Sequence, residues 1–255
     1  MQMPIDDNLR RNIIERWMRH APARWWGDPM DVRFLLAERL NALSGRRVLD
    51  VGCNAGVLAA VAAEAGNDVF GIELERDALL SLRRLSRAER LALRAVCGNW
   101  RELPFAPRSF DTLVLGWVLY YERTVEEKIR TVGRLSELLK PGGEMHFVEA
   151  NRVCPVQGRG KDCFWTPREA AAFFENHGYS VRELVGWNPL PSLLCWLPGE
   201  VKLMLPRALI LSLYPPGRLV QFLPGWYDMF KRLGTQKWLL NGCRSYYLRA
   251  VKRDD

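Results

Sequence analysis

The chain is poor in the residues that build metal centres and covalent staples. Its 255 residues include only three histidines and six cysteines. The cysteines (Cys53, Cys97, Cys154, Cys163, Cys195 and Cys243) form no CxxC pair, and the closest two, Cys154 and Cys163, lie nine apart. That spacing excludes a zinc cluster, and no disulfide staple is needed. Scattered single cysteines instead fit small buried residues in a reducing compartment. The N-terminus carries early acids, Asp6 and Asp7, and no long apolar run, so it does not read as a secretory leader. Nowhere do about 18 apolar residues follow one another, the length a spanning helix requires. Internal repeats, low-complexity tracts and the dinucleotide fingerprint GxGxxG are also missing. These absences predict a cytoplasmic, metal-free protein.

What is present is ordinary globular material, 48% hydrophobic and 26% charged, enough for a core without staples. The length fits one large domain, or one domain with an appendage. The formal net charge of +8 admits an anionic partner, and its distribution has to say which.

Short β-branched runs alternate with helical patterns through most of the chain, the mark of parallel βαβ units. Strands are predicted at 47–51, 68–73, 92–97, 110–116, 144–149 and 179–186, with a last one at 243–252. Helices are predicted at 6–20, 29–43, 56–65, 76–88 and 125–139, and from Pro167 to Asn176. Val125, Ile129, Val132, Leu135, Leu138 and Leu139 give the fifth helix one apolar face. Thr124 with Glu127, and Thr166 with Glu169, are spaced as capping boxes. The fold expected is α/β: a Rossmann-like, doubly wound, mostly parallel seven-stranded sheet with an antiparallel last strand. A helical insert precedes that strand. The expected division is a helical lid (1–30), the core (31–187), the insert (188–240), and the final strand with a tail (241–255).

The segment VLDVGCNAG at 48–56 carries the chemistry. An apolar strand ends in Asp50, and a tight turn with Gly52 and Gly56 opens a helix. Glycines let the backbone approach a ligand, and the helix N-terminus offers free N–H groups. A carboxylate immediately before the turn would repel a pyrophosphate, which disfavours a nicotinamide enzyme. It suits a cation such as the sulfonium or ammonium of S-adenosylmethionine. At this point the chain resembles the class I S-adenosylmethionine-dependent methyltransferases, particularly those acting on small molecules, lipids and quinones. The likeness extends through GIEL at 71–74, CGNWRELPF at 97–105, FDTLVLGWVLYY at 110–121 and LLKPGG at 138–143. Two positions depart from the family pattern: Asn54 replaces the middle glycine of the turn, and Asn99 replaces the acid that meets adenine. Asn tolerates left-handed backbone angles, and an amide both accepts and donates, so binding should survive both changes.

The resemblance implies cofactor contacts from Asp50, Gly52, Cys53, Asn54, Gly56, Glu73, Leu74, Asn99, Trp100 and Gly116. Glu73 would hold the ribose hydroxyls and Trp100 would flank the adenine. Trp25, Trp26, Tyr120 and Tyr121 are the acceptor-side candidates. Structural alternatives stand beside these: Asp50 as a helix cap, Glu73 as an exposed helix-start acid, Trp100 and the two tyrosines as packing. His146 reads as a core histidine, His177 as lying far from the site, and His20 as a weak candidate. No catalytic base is assigned.

Between 188 and 238 the chain carries seven prolines, the run KLMLPRALILSLY at 202–214, and Trp196, Trp226 and Trp238. Lys202, Arg207, Arg218, Lys231, Arg232 and Lys237 against Glu200 and Asp228 give 6 − 2 = +4. Such a segment suits an acceptor cap, a dimer contact, or a rest on an anionic bilayer. The cations lie among aliphatics and form no basic stripe, so nucleic acid is not expected. The expected activity is methyl transfer from S-adenosylmethionine, leaving S-adenosylhomocysteine, to a lipophilic small molecule at oxygen or carbon. A soluble polar metabolite is the second acceptor class. A non-catalytic cofactor-binding scaffold is the alternative of another kind.

Overall fold

Seven strands form one sheet in the order β3-β2-β1-β4-β5-β7-β6. The computed structural model describes residues 7–20, 32–154, 164–188, 225–240 and 242–254. The strands are β1 Arg47–Val51, β2 Asp68–Glu73, β3 Leu93–Cys97, β4 Phe110–Gly116, β5 Leu139–Ala150, β6 Tyr179–Trp187 and β7 Ser245–Lys252. The helices are α1 Asp7–His20, α2 Arg33–Asn41, α3 Val57–Glu64, α4 Arg76–Ala88, α5 Val125–Leu138, α6 Pro167–Asn176, α7 Trp226–Gly234 and α8 Lys237–Leu240. Strands β1 to β5 pair in parallel, and β7 runs antiparallel to both β5 and β6. The doubly wound architecture with an antiparallel last strand is therefore present.

Alternation along the strands builds two apolar layers, because successive side chains point to opposite faces. Val48, Val114, Val148 and Tyr247 pack with α2, α3, Ile13 of α1, and Tyr227 and Phe230 of α7. Leu49, Leu113, Leu115, Phe147, Tyr246 and Leu248 pack with α5 and α6 on the other face. Both expected caps form, with one difference. The Thr166 side chain and Glu169 make a complete capping box. Thr124 accepts from the Glu127 N–H, but the Glu127 carboxylate reaches the N–H of Arg123, one residue before the cap. Helix α5 stops at Leu138, and β5 starts directly at Leu139, five residues earlier than the alternation suggests. A register shift between the pairs Phe110↔Leu139 and Thr112↔Glu144 absorbs the Pro-Gly-Gly that obscured it.

Arg16 of α1 is buried and bridges Glu64, at the end of α3, and Glu89, just past α4. This anchors α1 near the amino-terminal edge of the sheet. The part of the expected lid at 21–30, which includes Trp25 and Trp26, lies outside the described residues. So does most of the expected insert, 189–224. Its two attachment points are clear, however. Trp187 pairs with Ser245 in register, so the chain leaves β6 and re-enters β7 at the carboxyl edge of the parallel strands. Helix α7 returns beneath that edge, and Glu38 of α2 accepts from both Tyr227 and Lys231.

One ion pair is wholly enclosed. Lys128 on α5 donates to Glu149 on β5 over 2.7 Å, both side chains 0% exposed, with the ammonium 4.8 Å from the Phe164 ring. Removing one partner of such a pair strands a charge, whereas an apolar pair of similar volume can replace it. Lys128→Ala should cost about 3–5 kcal/mol in urea unfolding, and the double change Lys128→Met with Glu149→Leu far less. Equal losses in the two would show that the charges are not what the site depends on.

Candidate functional site

Parallel strands β1 and β4 lie side by side, while their chain continuations diverge to opposite faces. That divergence opens a crevice at the carboxyl edge, where open α/β sheets receive ligands. The turn leaving β1 enters this crevice. Gly52 and Gly56 adopt φ of +65° and +80°, and Asn54 takes +48°, so the expected tolerance of Asn for the left-handed region is used. The Gly52 and Cys53 N–H groups donate to the Ile72 carbonyl, and the Asn54 side chain accepts from the Ala55 N–H. Gly71 makes room beneath the turn, since a Cβ there would lie 2.6 Å from the Cys53 sulfur.

Asp50 and Glu73 share the sheet face that carries α3, and both are buried, at 3% and 8% exposure. Glu73 ties the two turns together. Its Oε2 accepts from the Asn54 N–H at 2.8 Å, and its Oε1 accepts from the N–H groups of Leu74 and Glu75. The reading of Glu73 as an exposed helix-start acid is therefore incorrect. Asp50 accepts from the backbone of Ala59 in the first turn of α3, so it does meet that helix. Its Oδ2, however, is buried with no hydrogen-bond partner among the described residues. Burial, reinforced by the nearby Glu73 charge, pushes the Asp50 carboxyl up to about 8. A buried acid with an unmatched oxygen, on the strand that leads into the glycine turn, is suited to meet a cation.

The remaining predicted residues surround this centre. Leu74 is exposed at the end of β2. The N–H of Gly98 donates to the Glu73 carbonyl, placing the turn after β3 beside that of β2. Asn99 is half-buried there, and its Oδ1 accepts from the Arg101 N–H. Trp100 packs against its neighbours: its indole N–H donates to Glu122, and its ring lies 6.2 Å from that of Tyr121. Gly116 ends β4, and a Cβ there would press on Leu58 of α3 at 3.3 Å. Tyr121 is exposed, and its hydroxyl is held above its usual range by partial burial and by the charges of Glu75 and Glu73. Tyr120 packs between Tyr121 and Phe164, with ring centres 5.7 and 5.2 Å away.

The histidines behave as read where they are described. His146 is buried and its Nδ1 pairs with the Tyr247 hydroxyl at 2.8 Å, while His177 Nδ1 meets the Phe173 carbonyl at the end of α6. No cluster of His, Cys, Asp and Glu able to hold a metal occurs among the described residues.

Two residues were missed. Glu122, 1% exposed, accepts from Trp100, Arg101 and Thr131 and fixes the segment after β4. An acid directly after two tyrosines carries no sequence signal of burial. The other is Trp117, whose φ is +66°. A bulky residue in that region is an outlier, costing on the order of 1–3 kcal/mol. The Gly-Trp dipeptide at a strand end was the available hint.

The fold and the turn define a Rossmann-like cofactor domain, and comparison with known proteins narrows it. Residues 48–143 match the family described as "Methyltransferase domain". A ubiquinone biosynthesis O-methyltransferase of Alkalilimnicola ehrlichii is 32% identical over 60% of this chain and 66% of its own length. One of the same name from Methylococcus capsulatus is 30% identical over 57% of this chain and 64% of its own. The chain thus spans just under two thirds of each relative. In structure it is similar to the Burkholderia thailandensis 1,6-didemethyltoxoflavin-N1-methyltransferase, solved with S-adenosylhomocysteine: TM-score 0.58, 15% identity, covering 100% of this chain and 94% of that one. Over residues 48–143 the chain thus carries the pattern of a methyltransferase domain.

The fit of Cys53 over Gly71 can be checked directly. Gly71→Ala should lower stability by roughly 1–3 kcal/mol through overpacking, and adding Cys53→Ala should recover most of it. Additive losses in a thermal-melt cycle would mean that the two do not compete for one space.

Proposed function

We propose that this protein transfers a methyl group from S-adenosylmethionine to a lipophilic small molecule, at oxygen or carbon. The observation that carries the cofactor half is the buried Oδ2 of Asp50 beside the glycine turn, which has no partner among the described residues. The acceptor half is supported by the quinone-biosynthesis names of the relatives and by the apolar, cationic insert rooted at the carboxyl edge. On this reading the enzyme is cytoplasmic and meets its acceptor at a membrane surface. Among the described residues no helix is long and apolar enough to cross one.

The cofactor, when bound, supplies a methyl group on an electrophilic sulfonium. The chain's own residues bind and align. Asp50 would hold the cationic end. Glu73 would accept from the ribose, chiefly through Oε2, because its Oε1 already serves two backbone N–H groups. One carboxylate oxygen is thereby left for the diol. Asn99 and Trp100 would border the adenine, and Leu74 would line its lip. With no base assigned, catalysis rests on alignment of the acceptor with the methyl group.

Asp50 links binding to pH. Its carboxyl is raised from 3.8 to about 8, so the folded state holds the proton more tightly than the unfolded chain. The empty protein therefore loses stability as pH rises from about 4 to 8, with no further loss above. A bound cation favours the ionised form, so S-adenosylmethionine should bind with proton release at pH 7 and more tightly at pH 8 than at pH 6. Asp50→Asn should flatten the wild-type stability slope, gain stability at pH 8.5 and lose the thermal shift given by S-adenosylmethionine. A retained shift would remove Asp50 from the site.

The acceptor is tested by incubating the protein with methyl-labelled S-adenosylmethionine and a total lipid-containing extract, then partitioning between organic and aqueous phases. Label in the organic phase is expected. Label confined to water-soluble products would reject the lipophilic acceptor and favour the polar-metabolite reading.

A further inference from the structure

Apart from glycine, five described residues hold a left-handed backbone: Asn54, Arg90, Arg108, Trp117 and Asn188. Asparagine tolerates this region, and the two arginines lie in exposed turns. Trp117 is the only aromatic residue among them. Its conformation has a directional consequence. Leu115 belongs to the apolar layer of α5 and α6, and simple alternation would send residue 117 the same way. Trp117 instead packs with the layer of α2 and α3, on the face that carries Asp50 and Glu73. The left-handed φ has re-aimed the indole across the strand end, one strand away from Asp50, while the Trp117 backbone N–H still donates to the Val148 carbonyl. A residue that only filled the core would need no such inversion.

The half-buried ring meets Tyr120 edge to face, 6.4 Å between centres at 79°. Tyr120 in turn leads to Tyr121 and Phe164, and Tyr121 to Trp100. An aromatic ladder thus runs across the carboxyl edge from the expected adenine side to the end of β5, and Trp117 turns it toward the expected position of the methyl donor. We propose that Trp117 is a positioning residue whose ring, with Tyr120 at right angles, selects a planar aromatic acceptor over an aliphatic one. The inference deepens the proposed function and rests on it. Flat rings gain from stacked and edge-to-face contacts with such a corner, where an alkyl chain gains only area.

The full chain loaded with S-adenosylhomocysteine is titrated calorimetrically with hexyl 4-hydroxybenzoate, a phenol with an apolar tail, and with 1-decanol. The phenol should bind about tenfold more tightly. Trp117→Leu keeps apolar bulk without a π face, and Trp117→Phe restores the face. Leu should erase the preference and Phe should retain most of it, with S-adenosylhomocysteine affinity unchanged in both. Equal behaviour of the Leu and Phe variants, or no preference in the wild type, overturns the inference. If the Leu variant does not fold, Trp117→Gly, which accepts the φ without strain, replaces it and should likewise lose the preference. A phenol preference retained by Gly also overturns the inference. Failure of the wild type to bind S-adenosylhomocysteine at all would instead defeat the cofactor reading, so the two failures are distinct.

Discussion

The Glu73 carboxylate holds the working edge of this molecule together. It accepts from the turn after β1 through Asn54 and from the turn after β2 through Leu74 and Glu75. Each N–H it satisfies would otherwise be an unpaired donor in a region without secondary structure to pair it. The Gly98 N–H on the Glu73 carbonyl brings the third turn into the same assembly. With these turns fixed, Asp50 is confined beside a second acid and away from water. The cost of that confinement is expressed in its raised affinity for a proton.

The site is accordingly poised rather than relaxed. Buried charges are expensive unless matched, and here the matching partner for Asp50 is absent from the described protein groups. On the proposed function, stability given up at this position is restored by a cationic ligand, a common arrangement at functional sites. Trp117 follows the same logic in backbone rather than charge, since its left-handed turn is tolerated only because the surrounding packing fixes it. Two other buried acids, Glu149 and Glu122, are matched. Lys128 and Glu149 neutralise one another within the core, and Glu122 gathers three donors.

The supporting frame ties the flanking segments to this edge. Glu38 binds Tyr227 and Lys231, and its neighbour Arg39 pairs with Glu183 on β6. Helix α2, which follows the N-terminal segment, and α7, which follows the insert, are thereby clamped on one sheet face. The connection between β6 and β7 leaves and returns at the carboxyl edge. Whatever the intervening residues do, they leave and rejoin the sheet at the edge on which the crevice opens.

The sequence by itself determined the element order, the Gly52–Gly56 turn, the capping threonines and the presence of acids at Asp50 and Glu73. These are local properties: periodicity, capping chemistry and φ preference act over a few residues and leave their mark in composition. Even there, the Pro-Gly-Gly after α5 concealed the start of β5, because a register shift is resolved only by the partner strand. What tertiary structure alone decided is how distant groups share an environment. Whether Asp50 keeps its proton depends on burial and on a carboxylate 23 residues away. Whether Trp117 faces one helical layer or the other depends on a single dihedral that its neighbours in space enforce. Charge coupling and side-chain direction are set by what surrounds a residue in three dimensions, and no short pattern records that.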